Sequence, residues 1–504
     1  MTTRISAGLV TALLLLASSQ PTTADEPLKA DPDAGIKLLR EGDSLADKGN
    51  PTEAVIRYQE AFEQLLPGMR KLPFHHEVKR DVTPREELRA LLAKEFDEEQ
   101  TPGEFHGNEV GMKALGLIPR DLDLKEIMLK IYTEEIAAFY DTKTKTMHLI
   151  KEPEAKKKKA PSLLERLMGK TGEFDKDENK IVIAHELTHA LADQNFDLDK
   201  LHESAKGDDD RDLALTALIE GEASLTMFGA QMTDWDGNKI ARYPAESWNS
   251  ALGLMNMFMP MMSGPSMKKA PAILSESLIF PYFKGMVFCA HLTNTGGWDS
   301  LSAAYHEPPL STEQVLHPEK YRDSPDPPIN VDLGRLDVPE GWKEVVRNVV
   351  GEMQLGVMLR AHNGKRAAAG WDGDTFAAFE GPDDRLGLVW LTTWDTEKDA
   401  HEFVESYVKF QARRIDPDGP DRPTPLEDYS RLKHKGAIYA LERRGMDVAI
   451  AEGFPGEATE RLLEAAFRSK KTEKTNAEPA RPKKDAEEKR TKRVNGEASA
   501  RKAG

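Results

Sequence analysis

Apolar residues recur at helical spacing in the middle of the chain. They are three or four positions apart, at Ile181, Ala184, Leu187 and Leu191. This spacing places them along one side of an amphipathic helix. Acidic and amide side chains between residues 175 and 179 are typical of its N-terminus. A second apolar run at 213–218 follows three consecutive aspartates, which predicts another helix packed against the first.

Residues 25–75 contain two further stretches with helical periodicity. The break between them, Lys48-Gly49-Asn50-Pro51, has residues that end one helix and begin the next. The spacing of small and aromatic positions resembles one tetratricopeptide unit, but no second copy follows, and such units need neighbours to bury their faces. We therefore expect a lone helical hairpin docked on the rest of the protein, with a possible role in binding a protein partner.

Strand patterns lie on both sides of the central helices. Residues 136–140 and 146–150, joined by a polar turn, predict strand, turn and strand. After a proline-rich linker at 325–328, strands are predicted at 375–379, 386–391, 436–442 and 446–452, with helices at 397–413 and 457–467. This order predicts a small α+β domain over 329–469. The charged tail, 470–504, has almost no apolar residues and is expected to be disordered.

The composition is that of a soluble globular protein with a net charge of −17. This acidity argues against nucleic acid as the main partner. The single cysteine, Cys289, excludes an internal disulfide framework. Residues 1–24 have the basic start and short apolar run of a signal peptide, and no transmembrane segment is expected in the mature chain. We expect an exported protein, periplasmic or extracellular.

The first predicted helix contains the sequence His-Glu-x-x-His. Residues four apart lie on the same face of a helix, so His185 and His189 can direct two imidazoles at one point. Two neutral imidazoles suit Zn²⁺, and Glu186 is placed to accept a proton from a water on the metal. A catalytic zinc needs a third protein ligand. The second helix offers Glu220, with Glu222 as a rival.

These motifs resemble those of the gluzincin class of zinc metallopeptidases. The segment His185-Glu186-Leu187-Thr188-His189-Ala190 is similar to the thermolysin-type zinc helix, and Glu220-Gly221-Glu222-Ala223 resembles the Glu-Gly-x-Ala ligand segment of the aminopeptidase branch. The resemblance implies a zincin-like fold with His185, His189 and Glu220 as ligands and Glu186 as general base. The sequence departs from the thermolysin pattern at Ser224, where that family has an aspartate that orients a histidine ligand. Asp193, Asp212 and Glu222 are the candidates for that role.

Gluzincins also stabilise the oxyanion with a His or Tyr donor. His317 and Tyr321 are the leading candidates, with Tyr282 and His306 behind them. The resemblance further implies that an extended peptide adds to the edge of the sheet just before the zinc helix, although an ordinary structural hairpin explains residues 136–150 equally well.

The sequence thus predicts an α+β protein built from a helical hairpin (25–75), a mostly helical zincin-like domain with a small sheet (76–324) and a small α+β accessory domain (329–469). The predicted activity is zinc-dependent hydrolysis of peptide bonds in a peptide or protein substrate. Two alternatives remain: a zinc hydrolase acting on another substrate, and a non-catalytic envelope binding protein with a structural metal.

Overall fold

The computed structural model describes residues 27–151, 176–232, 235–250, 264–416 and 428–477. Within these ranges the protein is α+β, with helices in the majority and several sheets. The predicted fold class is confirmed at this level. The predicted signal peptide lies outside the described residues and stays a prediction.

The first part of the chain is mainly helical. Its helices are α1 (Pro32–Asp47), α2 (Pro51–Arg70), α3 (Arg85–Glu99), α4 (Pro102–Leu115), α5 (Leu124–Glu135), α6 (Lys176–Phe196), α7 (Leu198–Ala205), α8 (Asp209–Met232), α9 (Gly237–Arg242), α10 (Pro265–Lys269), α11 (Ala272–His306), α12 (Thr312–Leu316) and α13 (Pro318–Tyr321). Its strands are β1 (Lys79–Pro84), β2 (Ala138–Asp141) and β3 (Thr146–Lys151). The sheet order is β1-β3-β2, so β2 is an edge strand, and it packs beside α6.

Helices α1 and α2 form a tightly packed pair. The turn between them contains Gly49 with a positive φ of 78°, and a proline begins α2. A Cβ at Gly42 would lie only 2.5 Å from the Tyr58 ring, so glycine lets the two helices approach closely. Lys180 of α6 pairs with Asp43 at 2.9 Å, and α2 packs along α6. The helix pair is therefore docked on the helix that carries the His-Glu-x-x-His sequence.

Helix α11 is the long apolar element of this part. Among the described residues it is the one helix with the length and composition of a membrane span, and most of its apolar stretch is buried in the protein. It is broken by non-helical backbone at Gly296 and Gly297. Residues of α11 such as Met286, Phe288 and Leu292 are buried in the protein core, and this packing explains why the helix is so apolar.

The last part of the chain forms a larger sheet with helices on both faces. Its strands and helices are β4 (Ile329–Asp332), β5 (Lys343–Asn348), α14 (Gly351–Met358), α15 (Gly364–Ala368), β6 (Trp371–Glu380), β7 (Leu386–Trp394), α16 (Glu397–Ile415), β8 (Tyr429–His434), β9 (Ala437–Arg444), β10 (Asp447–Phe454), α17 (Gly456–Phe467) and β11 (Lys470–Glu473). Short 3₁₀ turns lie at Arg360–His362 and Pro382–Asp384. The antiparallel sheet has the order β5-β6-β7-β10-β9-β8.

One face of this sheet is covered partly by α4, from much earlier in the chain. A Cβ at Gly107 would lie 2.4 Å from the Val345 carbonyl oxygen, and one at Gly111 would lie 3.0 Å from Val346. Apolar side chains of α4 share a core with Trp371 and Trp390. The linker at 325–328 therefore joins two parts that pack against each other through α4.

The expectation of disorder from residue 470 onward is wrong for its first residues. Strand β11 pairs antiparallel with β4, and Lys474 is buried with its Nζ 2.6 Å from Asp208. Backbone pairing and a buried ion pair order this segment without apolar side chains, which is why its composition misled the prediction. Residues 478–504 lie outside the described part of the chain.

The N-terminus of α8 contains a fully buried carboxylate, Asp210. Thr312 donates to it from both its backbone N–H and its hydroxyl group, and a Cβ at Gly351 would lie 1.8 Å from its Oδ1. Burial raises the pKa of Asp210 to about 8, although the positive charge of Lys474 acts to lower it. Between the unfolded pKa of about 4 and this value, the folded chain binds a proton that the unfolded chain has lost, so stability falls as pH rises.

We expect the Asp210→Asn variant to lack this part of the pH dependence. The unfolding free energy of the wild type should fall relative to the variant by up to about 1.4 kcal/mol per pH unit within that window. Urea unfolding of both proteins at pH 5 and pH 8 measures the difference. Parallel pH profiles for the two proteins would contradict the assignment.

Candidate metal centre

Helix α6 presents two imidazoles one turn apart. The rings of His185 and His189 are 4.6 Å apart between centroids and nearly perpendicular, and both side chains are buried. The same helix buries Ile183, Leu187 and Leu191 in the core, which fixes its rotation about its own axis. The helical spacing seen in the sequence thus places both imidazoles on one inward face.

Helix α8 brings Glu220 to these imidazoles. Its Oε2 lies 3.1 Å from His185 Nε2 and 3.5 Å from His189 Nε2, and its side chain has no exposed area. Burial opposes ionisation of Glu220, but the two histidines outweigh it and lower the pKa to about 2. For His185, burial acts against the protonated ring, yet the hydrogen bond with Glu220 leaves the pKa raised. Glu220 is therefore an anion in this site.

The three side chains fit a divalent cation. Their ligand atoms all lie within 4.8 Å of one another. The two Nε2–Oε2 separations are close to the edge of a tetrahedron with metal–ligand bonds of about 2.0 Å, which is about 3.3 Å. Among the described residues, His189 Nε2 and Glu220 Oε1 are buried with no hydrogen-bond partner. Buried polar atoms without partners are costly, and a metal ligated by two nitrogens and a carboxylate would satisfy them.

Glu222, the rival ligand, has another role. It accepts hydrogen bonds from the Arg70 guanidinium at the end of α2 and from the Tyr305 hydroxyl of α11. Arg70 and Glu222 are each about 1% exposed. Residues two apart on a helix point to different sides, so Glu220 reaches the imidazoles while Glu222 joins α8 to the helix pair.

A close crossing of α8 and α11 lies between these two carboxylates. A Cβ at Gly221 would lie 2.1 Å from the Gly285 carbonyl carbon, and one at Gly285 would lie 1.9 Å from the Ala217 oxygen. The two glycines therefore let the helix backbones touch. One turn before Gly285, the Tyr282 ring stacks on His185 at 5.9 Å between centroids. Burial, with the charges of Glu220 and Glu186 nearby, raises the Tyr282 pKa well above its ordinary value.

Of the four predicted oxyanion donors, the described structure brings Tyr282 to the cluster. Of the two leading candidates, His317 instead pairs through Nε2 with Glu352 at 3.0 Å and lines a separate cleft. Tyr321 donates to the Glu307 carbonyl oxygen, and His306 packs edge-on against Phe196. The helix crossing that brings Tyr282 to the cluster has only Gly221 and Gly285, 64 residues apart, as its trace in the sequence.

Glu186 lies beside the cluster and is 5% exposed. Burial raises its pKa, although the backbone N–H of Tyr140 in β2 donates a hydrogen bond to its carboxylate. Its Oε2 has no hydrogen-bond partner among the described residues. A buried carboxylate with a raised pKa and one free oxygen is suited to accept a proton.

Tyr140 also connects β2 to the end of α6. Its hydroxyl donates to Asp193 Oδ2 at 3.0 Å, and Lys145 in the β2–β3 turn donates to the same oxygen at 2.7 Å. Asp193, a predicted support for a ligand, thus fixes the strand that holds Glu186. Another candidate, Asp212, pairs with His202 at 2.9 Å. Tyr140 had no motif in the sequence to mark it.

Replacing Tyr140 by Phe is expected to lower the unfolding free energy by about 1–3 kcal/mol, because a buried carboxylate loses a donor. Bound metal per chain should stay unchanged, since none of the three ligands is altered. Guanidinium unfolding and metal analysis of the purified proteins test this. Tyr429→Phe, which removes an exposed hydrogen bond to Glu460, is the matched control. Equal stability losses in the two variants would contradict the role given to Tyr140.

The part of the chain that matches a known protein family does not include this cluster. Residues 338–464 match a family model described as a domain of unknown function, DUF8575. This region contains all six strands of the β5-β6-β7-β10-β9-β8 sheet, α14 to α16 and most of α17. No match is found among curated proteins or among solved structures.

Proposed function

We propose that the protein is a zinc-dependent metallopeptidase of the gluzincin type. The observation that carries the proposal is the convergence of His185, His189 and Glu220 from two helices, with Glu186 beside them. A ligand set of two imidazoles and one carboxylate matches catalytic zinc sites, which keep a position open for water or substrate. Bound zinc supplies Lewis-acid polarisation of a carbonyl and makes water nucleophilic at neutral pH.

The chain's own residues supply the remaining chemistry. Glu186 accepts the proton of the attacking water and passes it to the leaving amine. We assign the role of oxyanion donor to Tyr282, because its ring stacks on His185 and its hydroxyl is in hydrogen-bonding reach of the ligand Glu220. Strand β2 lies beside α6 with all four of its residues buried and its Tyr140 N–H bonded to Glu186, so its role in the proposed mechanism is to hold the general base.

The decisive test is the Glu186→Gln variant. Zinc-loaded wild type is expected to hydrolyse members of a broad peptide library, and the variant should lose about 10²–10⁴-fold in rate while keeping its zinc. The exposed Glu203→Gln is the matched control. Unchanged activity in Glu186→Gln, or no hydrolysis by the zinc-loaded wild type, would overturn the peptidase. The second result would favour a structural metal in a binding protein.

We also propose that the protein is exported, on the basis of residues 1–24. Expression of the full chain with its first residues, followed by N-terminal sequencing of the protein outside the cytoplasm, tests this. A mature start near residue 25 is expected, and an uncleaved product confined to the cytoplasm would contradict it.

A further inference from the structure

A large cleft lies between α11 and the beginning of the C-terminal part. It has a volume of about 1450 Å³, and its walls come from α10 and α11 on one side and from α14 and α15 on the other. Sites for small molecules usually have about 300–1,000 Å³. The size of this cleft suits a segment of polypeptide better than a compact metabolite.

The floor of the cleft is apolar. Its lining includes aromatic and aliphatic side chains from both walls, among them Ile279, Phe280, Phe283, Leu316, Met353 and Val357. Phe280 and Phe283 are on the same turns of α11 as Tyr282, which faces His185. The cleft and the metal cluster therefore share one helix as a common wall.

The rim of the cleft is basic, although the whole chain is strongly acidic. Five of the lining residues carry a positive side chain, Lys268, Lys284, Arg360, Lys365 and Arg366, against the two carboxylates Glu276 and Glu352. Some of these charges are already matched, since Arg360 pairs with Glu276, and Arg366 pairs with Glu402 outside the cleft. Because the whole chain has a net charge of −17, this excess of positive side chains around the cleft is a local exception to its acidic character.

Two of the cations, Lys284 and Lys365, belong to opposite walls of the cleft and have no carboxylate partner among the described residues. Lys284 of α11 contacts the Asn249 amide oxygen at 3.3 Å. Burial and the charge of Lys365 together lower the pKa of Lys284. Two like charges on opposite walls repel each other unless an anion lies between them.

We propose that this cleft is an exosite that binds a segment of polypeptide with alternating acidic and apolar side chains. The carboxylates of the segment pair with Lys284 and Lys365, and its apolar side chains contact the floor. The inference that this segment belongs to a protein substrate rests on the proposed function. The inference that the cleft binds such a segment does not. Because the rest of the protein surface is acidic, it repels an acidic peptide. The basic rim of the cleft would therefore determine where on the protein such a peptide binds.

Binding is tested with the full-length, zinc-loaded Glu186→Gln protein, so that no turnover interferes. The probe is a short fluorescein-labelled peptide that alternates Glu with Leu and Phe, and binding is measured by fluorescence anisotropy. We expect affinity that falls with added salt, and that is about tenfold lower in the Lys284→Gln/Lys365→Gln variant. The exposed Lys398→Gln is the matched control variant. The same peptide with Gln or Lys in place of Glu should bind less tightly to the unaltered cleft.

Several results would overturn the exosite. Equal binding of the Lys-containing peptide would remove the charge argument, as would undiminished binding by the double lysine variant. If laurate displaces the labelled peptide at lower concentrations than the unlabelled peptide does, the cleft would be assigned to a fatty-acid anion. A dimer in sedimentation experiments, lost in the double lysine variant, would assign it to a second copy of the chain. Failure of the wild type to hydrolyse peptides would count against the proposed function and leave this binding measurement valid.

Discussion

Arg70→Met is expected to destabilise the protein by about 3–5 kcal/mol, because it leaves the Glu222 carboxylate buried without its cation. Arg70 also donates to Ser302 at 2.9 Å and lies 5.2 Å from the Trp298 ring centroid. The side chain therefore holds α2, α8 and α11 together at one point. Urea unfolding monitored by circular dichroism measures the loss.

The double variant Arg70→Met/Glu222→Met separates the ion pair from packing. Removing both charges should recover most of the lost stability, since the uncompensated charge causes the main cost. Arg444→Met is the matched control, because Arg444 pairs with Glu464 at the surface, where such pairs contribute about 0–1 kcal/mol. If the double variant is as unstable as Arg70→Met, packing around the guanidinium outweighs the charge.

Gly221→Ala is expected to lower the unfolding free energy by about 3 kcal/mol, the upper end of the usual cost of overpacking, and to weaken metal binding. The new methyl group would meet the Gly285 backbone at 2.1 Å, and two helix backbones have no flexible side chain that can move aside. Separation of α8 from α11 would shift Glu220 relative to the imidazoles and Tyr282 relative to His185. Thermal unfolding, together with zinc titration against a competing chelator, measures both effects.

The control for this variant is Gly103→Ala in the first turn of α4. Nothing lies within 4 Å of a Cβ built at Gly103, so alanine there should leave stability unchanged or raise it by up to about 1 kcal/mol. Normal stability and zinc affinity in Gly221→Ala would show that the helices tolerate separation, and the close crossing would then have no role in placing the ligands.

The parts of the site that depend on local spacing were accessible from the sequence. His185 and His189 need only one helical turn to converge, and the resemblance to the Glu-Gly-x-Ala ligand segment favoured Glu220 over Glu222. Tyr282 and Tyr140 depend on how helices and strands far apart in sequence meet, and no periodicity encodes that. Arg70 was equally hidden, because a basic residue at the end of a helix is usually solvated.

The fold shows the same division. The strands and helices of the C-terminal part were predicted where their period was regular, as at 386–391 and 397–413, and both occur there. The covering of that sheet by α4 could not be predicted, because it joins residues more than 200 positions apart. Strand β11 was missed because its four residues are all polar or charged and all exposed, so no apolar alternation marks it.

The ion pair between Lys474 and Asp208 has a consequence for biosynthesis. Its two residues are 266 positions apart, so the ribosome completes the whole C-terminal sheet before the start of α8 receives this partner. Until then the nascent chain carries the ligand helix without Lys474, with Asp208 capping the helix through the Arg211 N–H. A product that terminates before residue 474 would lack this link between the C-terminal segment and the ligand helix, and its lower stability would expose it to proteolytic quality control.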